Sequence, residues 1–324
     1  MLPDLIKETK SVLLHLHVKP DPDSIGSALA MYHALLGLGK KVTVIKGDSS
    51  LPEIFSFLPG FKDIVLKNYF EIDVGEFDLF IVQDSGSKDM ISRKGEVIFP
   101  DHLKTIVIDH HKTNTKFGDV NFVDASYSST AEYLYDLFKE WGIEITKDIA
   151  QCLYIGIYGD TGGFRYSTTT TRTMSVIAEL TRIYPDFPKL IEVLEYNNSK
   201  EKIYFDAIAL GLIETFFDGR VALSCIPFKT MEEKGITREM SDNNIVAGTL
   251  LTVKDWEVTG TLIEKAPGEI SISFRSKNNK DVSEVAVALG GGGHKFASGT
   301  NLWCSLEEAK NKVLETLTQV IYKE

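Results

Sequence analysis

The segment TIVIDHHKTN, residues 105–114, runs a β-type stretch into an aspartate and two adjacent histidines. Neighbouring side chains of a strand point to opposite faces, so His110 and His111 cannot both serve one face while the strand continues. The chain must therefore leave regular geometry near Asp109. Similar apolar runs precede it: VLLHLHV (12–18), KVTVI (41–45) and DLFIVQD (78–84). Between the first two, Ile25, Leu29, Tyr32 and Leu36 fall at helical spacing. This alternation predicts an α/β fold whose N-terminal part holds a mainly parallel sheet with helices on both faces. Ligands of such sheets bind beyond the carboxyl ends of the strands. Those ends are polar here: HVKPDPDS follows the first strand, and others stop at Asp84 and at Asp109.

Downstream the pattern turns helical, with GDTGGFRYSTTTTRT (159–173) between two helices and a helical connector broken near Pro185 and Pro188. RVALSCI, NIVAGTLLTV, WEVTGTLIEK and EISISFRS then read as strands, and VSEVAVAL as a helix. GGGGHKFASG follows, and Ser305 with Glu308 predicts a capping box on a last helix. The expected domains are residues 1–188, a helical connector at 189–209, and a smaller mixed α/β domain at 210–324. Two domains suit a chain of 324 residues.

The composition excludes several classes. Three scattered cysteines build neither a disulfide framework nor a thiolate zinc site. A net charge of −11 without a basic track argues against long duplex DNA as a partner. No apolar run is long enough for a membrane span and the first residues lack the order of a signal peptide, so no membrane association and a cytoplasmic location are expected.

His17, Asp21 and Asp23 form H-x-x-x-D-x-D after the first strand, in a loop stiffened by Pro20 and Pro22. Asp84, His110 and Asp160 can join them from neighbouring segments. Each aspartate alone reads equally as a turn residue or helix cap. Together Asp21, Asp23, Asp84 and Asp160 gather four negative charges, which two divalent cations would neutralise. Oxygen donors with some imidazole favour Mn²⁺, with Mg²⁺ or Co²⁺ as alternatives. Two such ions activate water for hydrolysis at phosphorus. Arg165 is placed to meet a phosphate, and the four glycines at 290–293 near Arg275 permit a nest of N–H groups for an anion. A turn before a helix and a plain flexible loop are the alternative readings of these two stretches.

HVKPDPDSIGS, VQDSGS, VIDHHKT and GDTGGFRYSTTTTRT, followed by ISFRSKNNKDVSEVAVALGGGGHKFASG, resemble in order the motifs of the DHH phosphoesterases and their associated C-terminal domain. Pro22 departs from the pattern, where glycine is common. The resemblance implies that His17 and Asp21 hold one metal, that Asp23, His110 and Asp160 hold the other, and that Asp84 bridges them. It implies that Asp109 orients His110, and that His111 contacts the phosphate and helps protonate the leaving oxygen. Arg275, Gly291, Gly292, Gly293 and His294 would bind the rest of the nucleotide, with Lys295 a weaker candidate. The implied substrates are short RNA oligonucleotides, pApA and 3′-phosphoadenosine 5′-phosphate, with cyclic di-AMP as the alternative and a homodimer as the assembly. A nucleotide sensor without chemistry is the competing class, and it has little use for four gathered carboxylates.

Overall fold

The computed structural model describes residues 4–242 and 246–323, without the side chains of Glu239, Asp242 and His294. The chain forms two compact units, residues 1–197 and 198–324. After a short helix, α1 (Asp4–Glu8), the first unit contains β1 (Ser11–His15), β2 (Lys41–Ile45), β3 (Leu79–Gln83), β4 (Lys104–Asp109) and β5 (Val120–Val123). They form one sheet in the order β2-β1-β3-β4-β5, with every pair parallel. β3 is buried at every position, as a parallel strand covered on both faces requires.

One face carries α2 (Pro22–Gly37), α3 (Thr130–Trp141), α4 (Lys147–Asp160), α5 (Thr171–Ile183) and α6 (Phe187–Glu195). Their apolar stripes pack on Val12, Leu14, Ile81, Ile106 and Ile108. The opposite face departs from the expected second helical layer. Leu13, Phe80, Val82 and Val107 are covered there by irregular chain holding Tyr69, Ile91 and Val97, with only single 3₁₀ turns such as Tyr69–Glu71 and Lys88–Met90. Pro52, Pro59 and Gly60 interrupt the stretch after β2, so no long helix propagates through it.

The connector is two helices rather than one. Pro188 lies in the first turn of α6, where its missing N–H costs nothing. The break comes later: Ser199 caps α7 (Lys200–Gly211) through the amide of Lys202. Leu190 of α6 joins the core of the first unit, whereas Phe205 and Ala209 of α7 join that of the second.

The second unit adds β6 (Ile213–Phe216), β7 (Val221–Ile226), β8 (Val258–Ala266), β9 (Glu269–Ser276), β10 (Gly292–His294) and β11 (Ala297–Trp303). Its sheet, ordered β10-β11-β9-β8-β7-β6, is mixed, because only β7 and β8 run parallel. Ile270, Ile272 and Phe274 face α11 (Val282–Ala288) and α12 (Leu306–Val320). The other face receives α7, α8 (Phe228–Glu233) and α10 (Val246–Leu250), after α9 (Arg238–Asp242). The expected capping box of α12 is present, with Ser305 and Glu308 bonding each other's backbone amides.

Two readings of this unit are corrected. NIVAGTLLTV holds no strand among its described residues. Val246, Ala247 and Leu250 are buried on one helical stripe of α10, while Asn244 and Ile245 lie outside the described residues. The glycine run is not a plain loop, since Gly292–His294 pair with Ala297–Gly299 as a short hairpin. A Cβ on Gly291 would lie 2.3 Å from the Gly299 carbonyl oxygen, and Gly293 has φ +139°, so both positions need glycine.

Candidate metal centre

β1, β3 and β4 are consecutive neighbours in the sheet, so their carboxyl ends open on one edge. His17 follows β1, Asp84 follows β3, and His110 and His111 follow Asp109 at the end of β4. Asp84 has φ +50°, a left-handed conformation that aspartate tolerates better than most residues. Asp21 caps α2 by accepting the Ser24 amide on Oδ1 at 2.9 Å, and Pro22 opens the helix, a position its fixed φ suits. Asp23 in the first turn is fully buried, and Asp160 closes α4.

The six expected ligands are brought together. His17 Nε2 lies 3.3 Å from Asp84 Oδ2 and 3.5 Å from Asp21 Oδ2. His110 Nε2 lies 3.1 Å from Asp160 Oδ2, 3.7 Å from Asp84 Oδ1 and 3.9 Å from Asp23 Oδ2. Donor atoms of His17, Asp21 and Asp84 thus form one cluster, and those of Asp23, His110 and Asp160 another, each within 4.8 Å. Asp84 turns one oxygen to each. Its Oδ2 and the Nε2 of His110 are buried without a hydrogen-bond partner among the described residues. A donor set of carboxylates and imidazoles with such orphaned atoms fits divalent cations.

The charges follow from this crowding. Burial and the neighbouring Asp84 and Asp160 hold Asp23 well above the usual carboxylate range. Burial also raises Asp160, with Asp84 adding to it against the opposing pull of His110. Burial alone would lower His17, yet Asp21 and Asp84 outweigh it and push the imidazole up to about 11. His110 likewise overcomes burial through Asp160, Asp23 and Asp84 and rises to about 10. His15 differs: it is buried edge-on against Phe80, with its pKa pushed down to about 3 by burial, and serves the core.

Sequence reasoning missed the start of α3. The amides of Thr130 and Ala131 donate to Asp23 at 2.7 and 2.9 Å, and the Thr130 hydroxyl donates to Asp84 Oδ1 at 3.1 Å. The Tyr127 carbonyl lies 3.4 Å from His110 Nδ1. Buried Glu132 fixes this segment by accepting from the Ser128 amide at 3.0 Å and the Thr173 hydroxyl at 3.1 Å. Ser129 with Glu132 was the available signal, since S-x-x-E marks a helix start whose free N–H groups suit an anion.

The role expected of Asp109 is also corrected. Its Oδ1 accepts the ring Nδ1–H of His111 at 2.7 Å, but only the backbone amide of His110, at 2.8 Å. The tight turn after β4 leaves the His110 ring facing Tyr127. Asn114 donates to Asp109 Oδ2 at 2.6 Å. Burial works against it, but these donors, His111 foremost, keep the Asp109 carboxyl below the usual range, and Asp109 in turn raises His111.

Elsewhere, exposed Arg165 donates from Nε to the Gly162 carbonyl of its own turn at 2.5 Å. In the second unit Arg275 pairs in register with Ala297, which pairs on its other side with His294. Arg275 Nη1 donates to the Phe274 carbonyl at 2.8 Å, and the side chain of His294 lies outside the described set.

A parallel-sheet edge bearing carboxylate and histidine groups able to hold divalent cations is the class of site this unit forms, and residues 11–157 match the DHH family, N-terminal domain, while residues 221–323 match the DHHA1 domain. The chain belongs to the DHH family. It is 31% identical over 309 residues to the bifunctional oligoribonuclease and PAP phosphatase NrnA of Thermus thermophilus, covering 94% of this chain and 88% of the relative. The probable NrnA of Streptococcus mutans is 30% identical, with 93% of each chain covered. The crystal structure of an exopolyphosphatase-related protein from Bacteroides fragilis superimposes with a TM-score of 0.87 at 26% identity, over 98% of this chain and 94% of that one.

Proposed function

We propose that this chain is a metal-dependent phosphoesterase that hydrolyses short oligoribonucleotides, pApA among them, and 3′-phosphoadenosine 5′-phosphate. The observation that carries the reading is the position of Asp84, which belongs to the cluster of His17 and Asp21 through one oxygen and approaches His110 of the other cluster, and His111 beside it, through the second. The names of the Thermus and Streptococcus relatives support the substrate class.

His17, Asp21 and Asp84 would hold one cation, and Asp23, His110 and Asp160 a second that also meets Asp84. Imidazole in both sets supports Mn²⁺, with Mg²⁺ or Co²⁺ able to replace it. When bound, divalent ions supply Lewis acidity and make water a nucleophile near neutral pH. The protein's own groups do the rest. The start of α3 fixes Asp23 and Asp84, so the ligands do not reorganise. His111, with Nδ1 engaged by Asp109, has Nε2 left to reach the substrate, and the upward pull of Asp109 on its pKa favours the protonated form needed as the acid for the leaving oxygen. Arg165 is assigned to a phosphate, and Arg275, Gly291, Gly292, Gly293 and His294 to the remainder of the nucleotide. This divides the chain into a catalytic part at 1–188, a connector at 189–209 and a substrate-binding part at 210–324, working as a cytoplasmic homodimer. No helix among the described residues is long and apolar enough to cross a membrane.

The test is hydrolysis of pApA, 3′-phosphoadenosine 5′-phosphate and cyclic di-AMP with Mn²⁺, by wild type and Asp84→Ala. Activity that survives the substitution unchanged sinks the site. Tight nucleotide binding with no turnover on any of the three would favour a sensor.

A further inference from the structure

Asp160 and the Asp21-Pro22-Asp23 segment come from helices that approach with unusually little between them. Three glycines permit this. A Cβ on Gly26 would lie 2.4 Å from the Cys152 carbonyl oxygen, and one on Gly156 would lie 2.5 Å from Ala131 Cβ and 2.8 Å from Asp23 Oδ1. Gly159 is different in kind. Its Cβ would meet Pro22 three times, at 2.3 Å from Cβ, 2.6 Å from Cγ and 3.4 Å from Cδ, and these are its three nearest neighbours. Gly159 lies inside α4 with φ outside the left-handed region, so the backbone itself would accept alanine, the better helix former. The ring of Pro22 cannot swing aside, because it is closed onto the backbone at the first turn of α2.

We propose that Pro22 and Gly159 are a matched pair of positioning residues: the proline ring seats in the notch left by the glycine and sets Asp160 against Asp21 and Asp23. The pair rests on the metal-centre reading above. Asp160 immediately follows Gly159, and Asp21 and Asp23 flank Pro22, so a side chain in the notch pushes ligand-bearing segments apart. The cluster of Asp23, His110 and Asp160 spans this contact, whereas that of His17, Asp21 and Asp84 lies on one side of it.

The test is a double-mutant cycle on the full chain, read by Mn²⁺ titration in calorimetry and electron paramagnetic resonance, and by melting in EDTA. G159A is expected to weaken one of two Mn²⁺ sites roughly tenfold, equivalent to about 1.4 kcal/mol. P22G alone, which empties the notch, should weaken that site roughly fivefold, whereas P22G/G159A should return to within about threefold of wild type. G156A should gain nothing from P22G, because its obstacles are Ala131 and Asp23. Wild-type affinity in G159A, or a double variant no better than G159A, overturns the pair. If G159A does not fold, recovery of melting in the double variant supports the contact and its failure refutes it. A wild type that takes up no divalent ion sinks the metal-centre reading instead, and the EDTA melting cycle separates that failure from failure of the contact.

Discussion

Asp109→Asn keeps the shape of a buried side chain while removing its charge. Four donors meet the carboxylate: the amides of His110 and His111, the ring of His111 and the side chain of Asn114. An asparagine oxygen can still serve the donors on Oδ1, but its amide nitrogen then faces Asn114 Nδ2, donor against donor. One buried polar group left unpaired costs about 2 kcal/mol, which lowers the melting temperature of a unit this size by roughly 4–8 °C. The loss has a pH signature. Asp109 sits below its ordinary 3.8, so its stabilisation is present above that value and lost as pH falls through the folded pKa. His111 sits above its ordinary 6.5, so its share is complete below 6.5 and lost as pH rises through its raised value. In EDTA, the gap in melting temperature between wild type and variant should be widest between about pH 4 and 6.5 and should narrow above that range. With saturating Mn²⁺ and pApA, the fall of kcat at high pH should begin at lower pH in the variant, because the largest influence raising His111 is gone. A melting gap constant from pH 5 to 9, with kcat reduced equally throughout, would refute the coupling of Asp109 to the protonation of His111.

Replacing His110 with alanine should weaken Mn²⁺ binding, whereas His111→Ala should retain both ions and lose about 10²- to 10⁴-fold in kcat. Equal metal loss from both, measured by calorimetry, would contradict that division. Asp84→Ala removes the residue facing both clusters and should lower Mn²⁺ stoichiometry as well as turnover, so an unchanged stoichiometry counts against a shared ligand. Because His17 and His110 are raised to about 11 and about 10, Mn²⁺ must displace their protons. Affinity should therefore rise with pH from 6 to 9, with protons released on binding, as read by calorimetry in buffers of different ionisation enthalpy. A pH-independent affinity would show that the imidazoles are not ligands.

The centre was legible because its residues sit at the ends of apolar strands, where sheet topology decides convergence. His17, Asp84 and His110 needed only strand recognition and a parallel order to be placed together. Asp109 was misassigned because neighbouring histidines can exchange partners through local rotation, which spacing does not encode. Thr130 and Ala131 stayed hidden for another reason: apart from the Thr130 hydroxyl on Asp84 they act through backbone amides across more than 100 residues, and only the helix start at Ser129 and Glu132 marked their place. NIVAGTLLTV misled because a short apolar run has no decisive period, and its described residues bury only one helical stripe, Val246, Ala247 and Leu250.

The sheet order has one more consequence. The segments carrying His17, Asp84 and His110 leave three strands locked side by side by main-chain hydrogen bonds, at the roughly 4.8 Å repeat common to sheets. Their spacing is therefore inherited from the backbone, which sequence drift changes least. A substitution in β1, β3 or β4 that keeps this ladder therefore leaves the three segments at the same separation, whatever side chains they carry.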